Sequence, residues 1–450
     1  MKSLFLRESV FDVDVRTLFS WHEQNGIIKR LTPCWETVYF LSQTGPISLN
    51  PEVFLKVKAG PFFIDYIAKH VEYEQNKLFV DIQKKGPFKY YKHSHIFEDM
   101  GDISKLSDYI EYETPLNFLA KYFVNRKFER MFRYRHTVTR NDLDFMKNFT
   151  VKPLRIAITG SRGDIGKNLV PILQTHGHTV IRLVRDKEVV DEENYLWNIQ
   201  TGEIYGENLN FDVVIHLAGM PIGNRRWSDS VKEQIIKSRI DNTKKLAEFI
   251  SNLKSKPKLF ISASAIGYYG EKGDKLLTED DGPGDEFISY VCKNWEEAAN
   301  ILNTEMRVVN LRIGVVMSYC GGALNRVLSY FNAGLGLIFG SGENFLSWVS
   351  MDDVLYSILF SIYKSDVSGA INVVSPNPVK QKDYAKILAG VLKRPQFLKI
   401  PEKIVDIIFG QMGREILLTS TKVYPKKLTD LGFKFYFPDL KDTIRHTLGK

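Results

Sequence analysis

The chain has 450 residues, room for two or three domains at roughly 150 residues each. It is 44% hydrophobic and 25% charged, which excludes a mainly disordered, collagen-like or coiled-coil protein, and no uncharged apolar run approaches the roughly 18 residues a membrane helix needs. Sixty-one basic against 53 acidic residues leave +8, a mild excess with no recognisable nucleic-acid module beside it.

The first 15 residues are too broken by charge for a signal peptide. Strands are expected at Val53–Val57 and Lys77–Ile82, with Gly-Pro turns at Gly60-Pro61 and Gly86-Pro87. Pro115–Arg135 carries apolar residues at helical spacing, so strands come first and a long helix last. The basic cluster from Lys121 to Arg140 on that helix reads as a solvated face, not a nucleic-acid surface. His93 and His95 alternate so as to share a strand face, and His176 and His178 bracket a glycine. Neither pair has an acid or cysteine at ligand spacing along the chain, so both read as structural and no metal is expected.

After Pro153 strand and helix alternate, the pattern of a doubly wound parallel sheet. Strands are expected at Leu154–Ile158, Val180–Val184, Asp212–Ala218, Lys258–Ala263 and Arg307–Val316, with helices at Ile165–Gln174, Ser230–Asn252 and Glu286–Leu302. The expected domains are 1–150, 151–380 and 381–450, the last a small substrate-side cap with a helix at Asp383–Leu392. Cys34, Cys292 and Cys320 are too few and too scattered for a disulfide framework and fit a cytoplasmic location. Oligomeric state is not legible.

The strongest local signal is the first of these strands running into Gly160, Gly163 and Gly166, with Ile165 opening the helix. Glycines let a backbone turn closely about a pyrophosphate, whose charge then lies on the helix N-terminus. The second strand ends at Arg185, about 25 residues after Gly160, with Asp186 beyond it and Arg162 in the glycine loop. Two guanidiniums favour the 2′-phosphate of NADP; Asp186 keeps NAD open. Leu217, Ala218 and Gly219 end a later strand, where small residues suit the adenine–ribose side of the cofactor.

Further motifs accompany the turn: Arg226-Trp227, Ser262 to Gly270, Val291-Cys292, Trp295-Glu296, Leu311 to Val315, Ser347-Trp348 and Asp352-Asp353-Val354. With them, the chain from about Leu154 onward resembles the atypical short-chain dehydrogenase/reductases of the epimerase family, including their small C-terminal domain. The first 145 residues or so are similar to the helix-grip (START/polyketide-cyclase-like) domain, on Trp21-His22, Arg30 to Pro33, Gly86-Pro-Phe88, His93-Ser-His95 and Tyr134-Arg-His136. The resemblance implies a Rossmann sheet with a C-terminal cap, preceded by an α+β helix-grip domain.

It also implies where chemistry sits. Ser264 stands at the family's oxygen-orienting serine, Arg239 at a helper position, and Ile288 and Cys292 where ordinary members carry the Tyr–Lys pair. Tyr268, Tyr269 and Cys292 are the substitute proton carriers to weigh, and Arg226, Trp227 and Trp348 the expected substrate pocket. Asp164 replaces an apolar residue of the family turn and must point away from a phosphate. Two functions remain open: an NADP(H)-dependent oxidoreductase or epimerase-like enzyme acting on a small carbonyl or sugar-like substrate, or a non-catalytic NADP(H)-binding sensor or scaffold. In either, the N-terminal domain would hold an apolar ligand, lined by Phe62–Ile67 and Phe88–Phe97, or have a filled core.

Overall fold

The computed structural model describes residues 2–114, 118–150 and 152–450, so the expected helix start at Pro115–Asn117 lies outside the described residues. Internal contacts divide the chain into two compact units, one formed by about the first 150 residues and the other by nearly all of the rest.

The first unit has seven strands: β1 (Ser3–Phe11), β2 (Val38–Gln43), β3 (Glu52–Ala59), β4 (Phe62–Glu74), β5 (Leu78–Lys85), β6 (Tyr90–Asp99) and β7 (Ser104–Glu113). All pair antiparallel in the order β1-β7-β6-β5-β4-β3-β2, so every strand from β2 on lies beside its chain neighbour. Helix α1 (Val15–His22) begins where Asp14 accepts the amides of Arg16 and Thr17, at 2.9 and 3.0 Å, an N-cap that fixes its start. The long helix α2 (Phe118–Met146) sends Phe128 and Phe132 against Phe5, Ile110 and Tyr112. Nearer its other end, Leu143 joins Phe11, Phe19, Phe79, Phe97 and Leu106. Between these apolar clusters the same strands and helix carry His93, His95, Asp108 and His136, so the middle of the interior is polar. Phe62 and Phe63, expected to line an apolar pocket, are instead 71% and 47% exposed at the start of β4. Basic residues of α2 are used within the unit: Lys127 pairs with Glu36, and Arg130 stacks on Trp35.

In the second unit the chain forms β8 (Arg155–Thr159), α3 (Asp164–Thr175), β9 (Thr179–Val184), β10 (Asn194–Trp197), β11 (Ile204–Tyr205) and β12 (Val213–His216). It continues through α4 (Asp229–Ile236), α5 (Asn242–Ser251), β13 (Leu259–Ala265), α6 (Phe287–Asn300), β14 (Arg307–Ile313) and β15 (Gly369–Val373). The sheet order is β11-β10-β9-β8-β12-β13-β14-β15, parallel throughout except for β11. Strands buried on both faces read as unbroken apolar runs, as β8 and β12 do. From β8 the chain winds outward to β11, then returns to β12 on β8's other side, so the order reverses between β8 and β12. Ligands of such sheets bind beyond the strand ends at that reversal.

The stretch expected as one helix, Ser230–Asn252, is interrupted by a π-helical turn at Lys237–Asp241. The C-terminal stretch is knitted in by strand pairing, Gln396–Ile400 with Gly336–Phe339 and Lys422–Val423 with Leu276–Leu277. Helices α7 (Gln381–Leu392) and α8 (Leu440–Leu448) share one apolar cluster with Trp348 and Phe331.

His216, at the end of β12, is fully buried and hydrogen-bonded to the hydroxyls of Thr159 (2.7 Å) and Thr243 (2.9 Å). Burial pushes its pKa down from 6.5 to about 3. The unfolded chain therefore takes up a proton there while the folded chain does not, and the stability this residue contributes above pH 6.5 is lost as pH falls toward 3. Calorimetric melting of His216→Asn should accordingly drop less than the parent's between pH 7 and pH 5; equal drops would place the acid sensitivity elsewhere.

Candidate functional site

Two groups of residues lie along the carboxyl ends of the central strands. The first surrounds the glycine turn. Gly160 leaves β8 with φ 72°, and a side chain there would meet the Leu217 backbone at 2.8 Å. At Gly166 a Cβ would lie 2.3 Å from the Gly160 carbonyl. Only glycine fits either place, and that closeness brings the start of α3 up to the end of the strand. At Gly163 the fit is tight rather than forbidden, with a Cβ 3.2 Å from the same carbonyl. Ile165 is half-buried in the helix's first turn. Across the turn, the Ala218 amide donates to Thr159 Oγ1 at 3.3 Å, holding Leu217–Gly219 beside it.

Parallel pairing of Thr159 with Leu183 puts Arg162 and Arg185 just past the ends of adjacent strands. Both are exposed, and neither has a side-chain partner among the described residues. Asp186 caps the turn Lys187–Val189, accepting from the Glu188 amide at 3.1 Å. Asp164 forms an ion pair with Lys167 at 2.9 Å and packs against Gly321, so its charge is met within the protein.

The second group is a buried polar chain. Glu296 on α6 and Arg312 on β14 form a bidentate pair, both bonds 2.9 Å. Ser264 on β13 donates to Glu296 Oε1 at 2.7 Å. Arg312 also donates to the Tyr269 hydroxyl at 3.0 Å, and that hydroxyl donates to Asn372 Oδ1 at 2.7 Å. Burial opposes the Arg312 charge, but hydrogen bonds to Glu296 outweigh it and hold the guanidinium above its ordinary pKa. The Tyr268 ring lies against the Arg312 guanidinium, 3.5 Å from centroid to Cζ. Arg239 sits in the π-helical turn, a feature frequent at functional sites. It donates to Met220 O at 2.9 Å and stacks over Trp295 at 5.0 Å, beside Gly219. Burial lowers its pKa. Because Ser264 gives its hydrogen to Glu296, its oxygen keeps lone pairs with which to accept a hydrogen bond.

Several expected site residues are placed otherwise. Tyr269 is wholly buried with its hydroxyl committed, and burial raises its pKa to about 12, so it meets no substrate. Cys292 is 1% exposed, and burial followed by the Glu296 charge pushes its thiol up to about 12, which favours the protonated thiol over a thiolate. Trp348 is fully buried in the α7–α8 cluster, its indole donating to Asn377 O, and it packs as part of that core. Trp227 is buried with Ile288, Cys292 and Met412, donating to Ile222 O. Arg226 is exposed and reaches the Ile407 carbonyl. Glu296 and Arg312 were read only as parts of motifs, without a role, and Asn372 was not singled out. A readable signal existed for two of them: Glu296 follows Cys292 by one turn of a buried helix face, and Arg312 interrupts an apolar strand. Charges in such places need partners.

Residues 156–374 match the NAD dependent epimerase/dehydratase family, and residues 400–447 match a domain of unknown function, DUF1731. The epimerase family protein YfhF of Bacillus subtilis is 35% identical over 302 residues, which make up 66% of this chain and 98% of that protein. The chain belongs to the epimerase family. Among solved structures, the nucleoside-diphosphate sugar epimerase from Corynebacterium glutamicum is 30% identical with TM-score 0.81, covering 99% of this chain and 90% of that one. Human epimerase family protein SDR39U1 (isoform 2), solved with NADPH, is 28% identical with TM-score 0.61, covering 66% of this chain and 99% of that one. Both residue groups described above fall within the epimerase match. The DUF1731 match includes Met412, which packs with Trp227 and Cys292.

Removing one partner of a buried ion pair strands the other charge. Arg312→Met should cost about 3–5 kcal/mol in urea unfolding, and Glu296→Gln/Arg312→Met should recover most of that loss. A single-variant loss under about 1 kcal/mol would show that the pair is not isolated from water.

Proposed function

We propose that the larger unit binds NADP(H) and acts as an oxidoreductase or epimerase-like enzyme on a small carbonyl or sugar-like substrate. The observation that carries this reading is the pair of exposed, unpartnered guanidiniums, Arg162 and Arg185, beyond a turn that only glycines can make. These residues fit the cofactor: Gly160, Gly163 and Gly166 with the first turn of α3 would hold the pyrophosphate, and Ile165 with Leu217–Gly219 the adenosine side. Arg162 and Arg185 suit a 2′-phosphate, whereas the one acid that would select NAD, Asp186, is used as a cap. NAD is then the weaker ligand. The human relative solved with NADPH supports the same choice. Bound, the nicotinamide supplies hydride transfer.

In this reading Ser264 orients a substrate oxygen, Glu296 and Arg312 hold Ser264, and Arg239 or Tyr268 supplies charge or a proton. Residues 151–380 would form the catalytic domain and 381–450 the substrate-side cap. Residues 1–150 would be a helix-grip domain, a reading supported by one long helix on the buried face of an antiparallel sheet. No helix among the described residues is long and apolar enough to cross a membrane; a cytoplasmic location rests on three cysteines too few and too scattered for a disulfide framework.

The second reading, cofactor binding without turnover, is favoured by Ile288 and Cys292, buried in an apolar cluster where the usual Tyr–Lys pair would stand. The two separate on NADPH oxidation over a panel of carbonyl substrates: sustained turnover supports the enzyme, and tight binding without oxidation supports the sensor.

Calorimetry should find NADPH bound more tightly than NADH by roughly 1–3 kcal/mol, with Arg185→Ala erasing most of the gap. Equal affinities in the parent would sink the 2′-phosphate assignment. Ser264→Ala should keep cofactor affinity and lower turnover by about ten- to a thousandfold; unchanged turnover would move the chemistry away from that serine.

A further inference from the structure

The first unit contains a cluster of histidines and aspartates that the function proposed above leaves unused. Strand pairing lays it out. His70 on β4 is the cross-strand partner of Asp81 on β5, which is in turn the partner of His93 on β6. One row along, His95 on β6 is the partner of Asp108 on β7. Partners across a ladder share a face, as do residues two apart on a strand. These five side chains therefore meet on one face of the sheet, where α2 adds His136. His70, His93, Asp108 and His136 are all less than a tenth exposed.

Asp108 stands behind the two neighbouring imidazoles. His93 Nε2 is hydrogen-bonded to Asp108 Oδ1 at 2.9 Å. His95 Nδ1 lies 2.7 Å from the same oxygen, off the direction of a straight hydrogen bond. His136 Nε2 takes the other oxygen at 2.6 Å, and its Nδ1 is hydrogen-bonded to Ser9 Oγ at 2.8 Å. The remaining nitrogens, His93 Nδ1 and His95 Nε2, face Asp81 Oδ2 at 3.5 and 3.6 Å. Those separations exceed the usual N–H···O length of about 2.9–3.0 Å. They are close to the edge of a tetrahedron, about 3.4 Å, when zinc binds nitrogen and oxygen at about 2.0–2.1 Å.

We propose that Asp81, His93 and His95 form a zinc site, with Asp108 orienting both histidines from behind. One ligand atom from each of the three lies within 4.8 Å of the others. Two imidazoles and a carboxylate are a donor set that zinc takes, and three protein ligands leave a coordination position open. A carboxylate on the far nitrogen of a ligating histidine is the usual device that fixes its tautomer and aim. The aromatic surroundings restrict the rings further: Phe79 stacks on His95 at 4.2 Å, and Phe132 meets His93 edge-on at 5.3 Å. Side chains of Asp81 and His95 keep 14% and 15% of their surface exposed, which leaves an ion a route in. Beside them, His70 Nδ1 is buried without a hydrogen-bond partner among the described residues.

The test uses the full-length chain, stripped with a chelator and titrated with Zn2+ against a chromophoric competitor, with circular dichroism to verify folding. The parent should bind one equivalent. Asp81→Asn and His95→Gln should each weaken binding at least about tenfold, and Asp108→Asn by about ten- to a hundredfold. Cys320→Ser, at an exposed cysteine outside the cluster, should change nothing. Co2+ in place of Zn2+ should give the intense visible bands of a low-coordinate site, a readout on the parent that needs no variant. Uptake well below one equivalent by the folded parent, or folded variants that titrate like it, would overturn the proposal.

Discussion

Arg312 enters the central sheet between Leu311 and Ile313 on a buried strand, and a guanidinium there is tolerable only if its charge is met where it stands. Glu296 meets it with both carboxylate oxygens, and the geometry of that fork determines much of what surrounds it. Ser264 is held because the same carboxylate accepts its hydrogen; Tyr269 is held because the remaining guanidinium nitrogen donates to it; Tyr268 lies flat against the charge. Three strands and a helix are thereby tied near the carboxyl ends of the strands. The arrangement differs from a tyrosine paired with a lysine, since its charged members are buried and mutually satisfied.

The glycine turn works by exclusion of atoms. Gly160 and Gly166 allow β8, the start of α3 and the Leu217 backbone to approach within distances that a single Cβ would prevent. What remains exposed around the turn is positive, with Asp164 and Asp186 both engaged by the protein itself. The two acids that might have opposed a phosphate are thus accounted for by local bonds.

In the smaller unit the polar belt lies between two apolar clusters on the same strands, so apolar packing at either end positions the histidines and aspartates between them. That interior is built less for an apolar guest than its aromatic composition suggests, because the residues at its centre carry charge or ring nitrogens.

The order of elements, the parallel sheet, the glycine turn and its neighbouring arginines were legible in the sequence, because each depends on spacing along the chain: periodicity for helices, apolar runs for buried strands, glycines where the backbone must come close. Short β10 and the edge strand β15 carried too little pattern to be read. The polar chain and the histidine cluster were illegible for a different reason. Ser264, Glu296 and Arg312 lie 16 or more residues apart yet share hydrogen bonds, and Asp81 and Asp108 reach His93 and His95 only across β-pairing. Burial decided the rest. Tyr269, Cys292, Trp227 and Trp348 are residue types that chemistry or binding could use, and only packing shows them enclosed. Sequence determines which groups are present and how the local backbone runs; which of them meet, and which meet solvent, follows from long-range pairing that no spacing along the chain records.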